Sequence, residues 1–409
     1  MTTKTTQRRT THRVALALTP LALVAAVAVA LLARPDDPFD GHAITDPPFP
    51  PLTYALHTSL WWDENEAGKH LDWVRMLGYN TVKQKFPWTD MEPEPGTWDF
   101  SAADRIVQQV ADRDLHLVVR LGQTPDWAAV EPGTATAVID TPPADLDAWA
   151  NYCGTVAARY RGQIRAYQIW NEPNLAREWG ALPPDPVSYV ELLAACSQAI
   201  RTADPAAVLI SSGLSPTGNT DALALRDDLY LQAMYDADFQ QYIDVVGAHA
   251  PGFGPPSYGP DDAEHDGSGR WFSFRRIEDL RKIMLANDDA ARQMAILEFG
   301  WTTDTRNPDY AWFAVSEAQQ AEYIVAAYEY ALRHWTPWVG LTTLIYLPDP
   351  NWTEADEQSW WALVDPDGKL RPAFFAIAGM SKTCGDTILP ERPPDHPEFS
   401  GDEPPRTCP

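Results

Sequence analysis

Residues 164–174 read IRAYQIWNEPN. A short, mostly apolar run reaches a proline and stops there. Pro173 has no amide hydrogen to give a ladder, so a strand entering from Ile164 must end before it. Asn171 and Glu172 are left where the chain turns off the sheet. Seven similar runs flank this one: LTYALH (52–57), YNTVKQKF (79–86), LHLVVRLG (115–122), AAVLISSG (206–213), IDVVGAHA (243–250), QMAILEF (293–299) and VGLTTLIYL (339–347). Stretches with helical patterning separate most of them, at 66–77, 101–113, 146–160, 186–202, 273–286 and 317–334. Strands alternating with helices require parallel crossovers. Eight such units match a closed (β/α)8 TIM barrel of the α/β class, a single catalytic domain over residues 52–383. No Gly-rich phosphate loop follows the first strand, which argues against a dinucleotide-binding sheet.

In such a barrel the chemistry lies where strands end. The seventh strand closes as ILEFGW, residues 296–301, and brings Glu298 to the mouth that also holds Glu172. A lone Glu after an apolar run more often caps the next helix. Two carboxylates on strand ends facing each other across a barrel meet the needs of glycoside hydrolysis, where one protonates the leaving oxygen and the other attacks or supports the anomeric carbon.

With these residues in view, the chain resembles the retaining glycoside hydrolase superfamily of (β/α)8 barrels with catalytic glutamates on strands four and seven. Within it the likeness is greatest to the family of β-xylosidases and related endo-glycosidases, and next to the cellulase family. It covers about residues 52–380 and rests on Trp170–Asn174, on Leu297–Trp301 and on the stretch WTDMEPEPGTWDF (88–100), which looks like the loop after strand two. The resemblance implies that Glu172 is the acid/base, that Glu298 is the nucleophile, and that Asn171 hydrogen-bonds the sugar 2-hydroxyl. The competing reading of Asn171 is an ordinary turn residue before proline.

Other mouth residues have two readings each. His249 closes strand six, either as a wall of the site or as a hydrogen-bonded core histidine. Relatives often carry a Tyr two residues later that holds the nucleophile; here that place is Pro251, and Tyr346 is a candidate substitute. Lys83 stands where cellulase relatives often have Arg. Pointing inward it needs a carboxylate partner, with Glu298 the candidate, and otherwise it is a surface lysine. Arg120 on strand three divides the same way. Tyr346 falls where relatives commonly place a Trp beneath the bound sugar. Trp88, Trp301 and Trp352 are candidates for the cleft wall, against plain packing. Asp261 and Asp266, in a Gly/Pro-rich loop, are read as solvated acids rather than calcium ligands.

The first 13 residues hold four basic groups and no acid, so residues 14–409 carry 27 basic against 57 acidic side chains. So acidic a chain repels nucleic acid. Seventeen Trp residues serve either a large core or stacking platforms for sugars. The uncharged run at 14–33, VALALTPLALVAAVAVALLA, is long enough to span a bilayer, with basic residues before it and acids after it. It is read as a retained anchor, with a cleaved signal peptide as the alternative. The expected layout is therefore a basic cytoplasmic N-terminus (1–13), the anchor or signal (14–33), a Pro/Asp-rich linker (34–51), the barrel (52–383) and a Pro-rich acidic tail (384–409). The barrel is expected outside the cytoplasm, on the cell membrane or secreted. Four cysteines suit that compartment: a Cys153–Cys196 bridge is expected because consecutive helices neighbour each other around a barrel, and a Cys384–Cys408 bridge as a clip on the Pro-rich tail, with buried free thiols as the alternative.

The expected activity is hydrolysis of a β-linked oligo- or polysaccharide by a monomer, with no cofactor or metal and with membrane contact through the N-terminal segment only. The alternatives are a transglycosylase using the same residues and a catalytically impaired carbohydrate-binding barrel.

Overall fold

The computed structural model describes residues 39, 43–49, 52–130, 140–384 and 387–389. Its centre is a closed barrel of eight parallel strands in sequence order. They are β1 (Thr53–Thr58), β2 (Thr81–Pro87), β3 (His116–Gly122), β4 (Ala166–Ile169), β5 (Val208–Ile210), β6 (Val245–Pro251), β7 (Gln293–Gly300) and β8 (Val339–Leu344). β1 pairs with β8, which closes the ring. Every expected strand forms, with ends shifted by a few residues. β5 is the most shortened against the expected 206–213, and β8 stops before Tyr346.

The helices are α1 (Ala67–Met76), α2 (Trp88–Met91), α3 (Ser101–Ala111), α4 (Leu146–Arg159), α5 (Pro186–Ala203), α6 (Asp227–Asp236), α7 (Pro260–His265), α8 (Ile277–Ala286), α9 (Glu317–His334) and α10 (Pro372–Gly379). Local chemistry sets several starts. The Asp145 carboxylate accepts from the amides of Asp147 and Ala148 to cap α4. Asp185 does the same for α5, with Pro186 in the first turn, where no amide hydrogen is needed. Ser316 and Gln319 form a reciprocal capping box on α9. Cys153 on α4 and Cys196 on α5 are joined by a disulfide with Cα atoms 5.4 Å apart. The other expected bridge lies outside the described side chains.

Alternation along the strands explains how the site is built. Ala55, Val118, Ala166, Ile210, Val245, Ala295, Leu297 and Leu341 form an apolar plug inside the barrel. Two residues further along the same inward faces come His57, Arg120 and Gln168. The barrel is thus filled with small and branched apolar groups below and polar groups above. Phe49 seals the bottom, fully buried in the same plug, and its backbone exchanges hydrogen bonds with the Gln293 side chain at 3.0 Å. The expected linker 34–51 therefore ends in a residue of the barrel core.

At the other end, β9 (Lys382–Cys384) and β10 (Thr387–Leu389) form an antiparallel pair. The expected tail boundary at 383/384 falls inside this hairpin. The segment Val14–Ala33 and the acidic tail beyond residue 389 lie outside the described residues. Among the described residues no helix is long and apolar enough to cross a membrane.

Candidate active site

Glu172 stands on a sharp exit from β4. Trp170 and Glu172 both have left-handed backbone, with φ of 69° and 38°. Such a conformation costs a non-glycine residue on the order of 1–3 kcal/mol and persists only where its surroundings enforce it. Here the Trp170 indole donates to the Glu178 carbonyl at 2.8 Å, and the Glu172 amide donates to the Gly213 carbonyl at 3.1 Å. Asn174 locks the neighbouring loops, donating to the carbonyls of Ser215 and Leu225 and accepting from the Ser215 amide.

Glu298 reaches the mouth by a different device. The β6–β7 register shifts between Ala248 and His249, so that Ala248 faces Ile296 but His249 faces Glu298. A bulge of this kind re-aims one side chain. It lets Leu297 fill the barrel while Glu298, next in sequence, enters the cleft.

His249 joins the two carboxylates. Its Nδ1 lies 2.9 Å from Glu172 Oε1 and 3.9 Å from Glu298 Oε2. Their nearest oxygens are therefore no farther apart than those two distances laid end to end. The histidine needs a glycine behind it: a Cβ on Gly213 would sit 2.1 Å from its ring.

Basic side chains gather on Glu298. Its Oε1 lies 3.3 Å from Lys83 Nζ, 3.6 Å from His57 Nδ1 and 3.8 Å from Arg120 Nη1. Burial alone would raise this carboxyl, but His249, Lys83 and His57 outweigh it and hold it down at about 2. Lys83 is fully buried, also donates to the Leu297 carbonyl at 2.9 Å, and is lowered to about 8 by desolvation, which Glu298 opposes. Burial and the Lys83 charge push His57 well below the usual histidine range, so it is neutral at pH 7.

Glu172 is also ionised in the free site. Burial favours its neutral form, but the His249 hydrogen bond and the Arg177 guanidinium, 3.0 Å from Oε2, prevail and hold it below the ordinary carboxyl range. Beside it, burial and the Glu172 charge push Glu178 up to about 7.

Two cavities meet at this pair. The larger, about 400 Å³, is lined by Trp62, Lys85, Arg120, Asn171, Glu178 and Trp352 among others. The smaller, about 170 Å³, has walls including Pro251, Phe253, Phe313 and Trp361. Both include Glu172, Arg177, Glu298, Tyr346 and Glu357. Asn171 opens to the larger one while its Oδ1 accepts from Gln168 at 3.2 Å. Tyr346 lines both and packs its ring on His57 and Trp352. Pro251 occupies the place of the expected Tyr, and the polar groups around Glu298 are Lys83, His57, Arg120 and His249.

Two expected cleft residues lie elsewhere. Trp88 is fully buried between Trp149 and Tyr152, and its indole donates to Glu92 Oε2 at 2.8 Å. Glu92 Oε1 accepts from the Gly96 amide, so the 88–100 stretch is a loop tied by its own carboxylate. Trp301 is also fully buried; it packs on Phe274 and donates to the Gly254 carbonyl at 2.7 Å. Asp261 pairs with Arg270, and Asp266 accepts from Tyr258 and Ser268. Among the described residues no group of three or more His, Cys, Asp or Glu is arranged to hold a metal ion. Sequence reasoning did not single out His57, Lys85, Arg177, Glu178 or Trp62.

Comparison with known proteins agrees with this architecture. A family model described as beta-galactosidase, glycoside hydrolase family 42, matches residues 59–138. Endo-1,4-beta-xylanase A of Phanerodontia chrysosporium is 29% identical over 152 residues, 34% of this chain and 34% of that protein. The match thus spans about a third of the length of that curated relative. A family 39 glycoside hydrolase from Bacteroides cellulosilyticus WH2 superposes with a TM-score of 0.60 at 19% identity, over 82% of this chain and 64% of that one. A GH10 endoxylanase from a sugarcane soil metagenome gives 0.54 at 16% identity, over 81% and 96%. The chain is thus similar over part of its sequence to glycoside hydrolases and shares their closed barrel fold, with Glu172 just after strand four and Glu298 near the end of strand seven.

Proposed function

We propose that the chain is a retaining glycoside hydrolase that cleaves a β-linked glycan, with Glu298 as nucleophile and Glu172 as acid/base. The observation that carries this reading is the unequal treatment of two opposed carboxylates. Glu298 lies beside the cations Lys83 and Arg120, which keep it ionised for attack, with neutral His57 next to them. Glu172 meets only His249 and the largely exposed Arg177. Both carboxyls are held low in the free site, so the difference lies in their neighbours: buried Lys83 stays beside Glu298, whereas the partner of Glu172 that faces solvent, Arg177, can move away when substrate binds.

In the first step Glu298 attacks the anomeric carbon while Glu172 gives its proton to the departing oxygen. A covalent glycosyl ester forms and the Glu298 charge disappears. Glu172, now a carboxylate, takes a proton from water as that water attacks the same carbon. Asn171, on the wall of the larger cavity, is placed to meet a sugar hydroxyl. The competent free state has Glu298 ionised and Glu172 protonated. Because both carboxyls are held low, its population grows toward acidic pH.

The reading includes a place outside the cytoplasm. The Cys153–Cys196 bridge suits an oxidising compartment. The run at 14–33 serves as export signal or anchor.

The test is a screen of residues 48–409 on β-linked polysaccharides and aryl β-glycosides, repeated with Glu298→Ala. Turnover that vanishes in the variant supports the assignment. A variant as active as wild type removes it.

A further inference from the structure

Lys85 on β2 and Arg120 on β3 are register partners on neighbouring parallel strands, and both line the larger cavity. Like charges on facing positions repel. Here nothing in the protein separates them: among the described residues Lys85 makes no ion pair, and its ammonium rests only over the Trp62 ring, 5.0 Å from the centroid. Among the described residues the one ion pair of Arg120 is with Glu298 Oε1, at 3.8 Å, a carboxylate already closer to Lys83 and His57. Asp140, Glu178 and Asp90 lie near enough to favour the Lys85 charge, yet none forms an ion pair with Lys85 or Arg120 among the described residues. Asp140 accepts the amides of Gln123 and Thr124, at 2.8 and 3.3 Å. Glu178 is raised to about 7 by burial and the Glu172 charge, so much of it is uncharged at neutral pH. Desolvation and Arg120 lower Lys85 to about 8, which still leaves it mostly protonated at pH 7.

Two cations side by side, one without an ion pair among the described residues and the other sharing Glu298 at 3.8 Å with Lys83, open into a cavity beside the nucleophile, an electrostatic cost that an anionic ligand removes. We infer that the glycan bound here carries an anionic substituent, a uronate carboxylate or a sulfate ester, held between Lys85 and Arg120 with the sugar against Trp62. This rests on the glycosidase reading and names its substrate class. One such group suits the site better than a polyanionic chain, because Asp349 and Glu357 line the same cavity.

The experiment uses sugars that differ only at the acidic position: D-glucuronate, D-galacturonate and glucose 6-sulfate against glucose and galactose. Binding to the full chain is measured by ligand-observed NMR at low and moderate salt. At least one acidic sugar is expected to bind roughly tenfold tighter than its neutral parent, the scale of one charge-assisted contact, with the margin shrinking as salt rises. The uronates and the sulfate ester separate the two sources of charge. In Lys85→Gln the ratio of acidic to neutral affinity is expected to fall toward unity, and thermal unfolding verifies that this variant is folded. Equal binding of acidic and neutral sugars by wild type overturns the inference, as does a preference that survives in folded Lys85→Gln. If the neutral sugars bind as well as the acids and neutral aryl β-glycosides are hydrolysed, only the anionic specificity falls. If no sugar binds and no glycoside is cleaved, the glycosidase reading falls with it.

Discussion

Replacing Lys83 by Gln removes the nearest cation to Glu298 and leaves a neutral polar side chain one atom shorter in its place. Glu298 is held at about 2 against an ordinary value of 4.5, a net bias toward the charged form of roughly 3 kcal/mol. His249, Lys83 and His57 share the work, so loss of Lys83 is expected to raise Glu298 by about one unit, the low end for an opposite charge at this range. The acid limb of kcat/KM then moves up by about one unit, while the rate at neutral pH falls less.

Stability responds differently, because two contributions oppose. The depressed Glu298 adds stability that is present above pH 4.5 and is lost as pH falls toward 2, and Lys83→Gln removes part of it. Lys83 is itself lowered to about 8 from 10.5, so its burial costs stability below pH 8, and that cost fades as pH rises to 10.5. Gln relieves it. The melting temperature at pH 7 should therefore change little. Profiles of kcat/KM on an aryl glycoside, beside thermal melts, separate the two effects. A folded variant whose acid limb stays in place refutes the claim that Lys83 sets the charge on Glu298.

Arg177→Gln removes a positive charge 3.0 Å from Glu172, so the Glu172 carboxyl rises and the alkaline limb of kcat/KM shifts to higher pH; an unmoved limb contradicts the pairing. Gly213→Ala places a methyl group against the His249 ring, and a loss of at least tenfold in kcat with the barrel intact by circular dichroism is expected; wild-type rates would show that His249 tolerates displacement. Replacing Cys153 and Cys196 together by Ala opens a bridge with a sequence separation of 43, which costs up to about 4 kcal/mol and is read as a lower denaturant midpoint; an unchanged midpoint removes the bridge from the stability account.

Much of this molecule is legible along the chain, because both faces of each strand are covered and the apolar runs stand out between helices. The two glutamates were legible for a related reason: strand ends are where a barrel keeps its chemistry, and Pro173 marks one of them. Lys83 was legible as an inward lysine in search of a carboxylate. Trp88 and Trp301 misled, since an indole near a strand end reads the same whether it faces the cleft or the helical layer. Their hydrogen bonds to Glu92 and to the Gly254 carbonyl exist only in three dimensions. His57, Lys85, Arg177 and Glu178 had no local signal, being ordinary polar residues until neighbouring strands and loops bring them to one cavity. For His57 and Lys85, inward alternation carried through to the last strand positions was the available clue. The bulge at Leu297–Glu298 was not readable, because it is a register shift between two strands rather than a property of either.

The most direct test is the stereochemistry of the first-formed sugar, followed by proton NMR before mutarotation scrambles it. A nucleophile at Glu298 and an acid/base at Glu172 predict that a β-linked substrate releases a β-configured product, through two inversions at the anomeric carbon. A first-formed α product means that water attacks directly, and it would contradict the role assigned to Glu298.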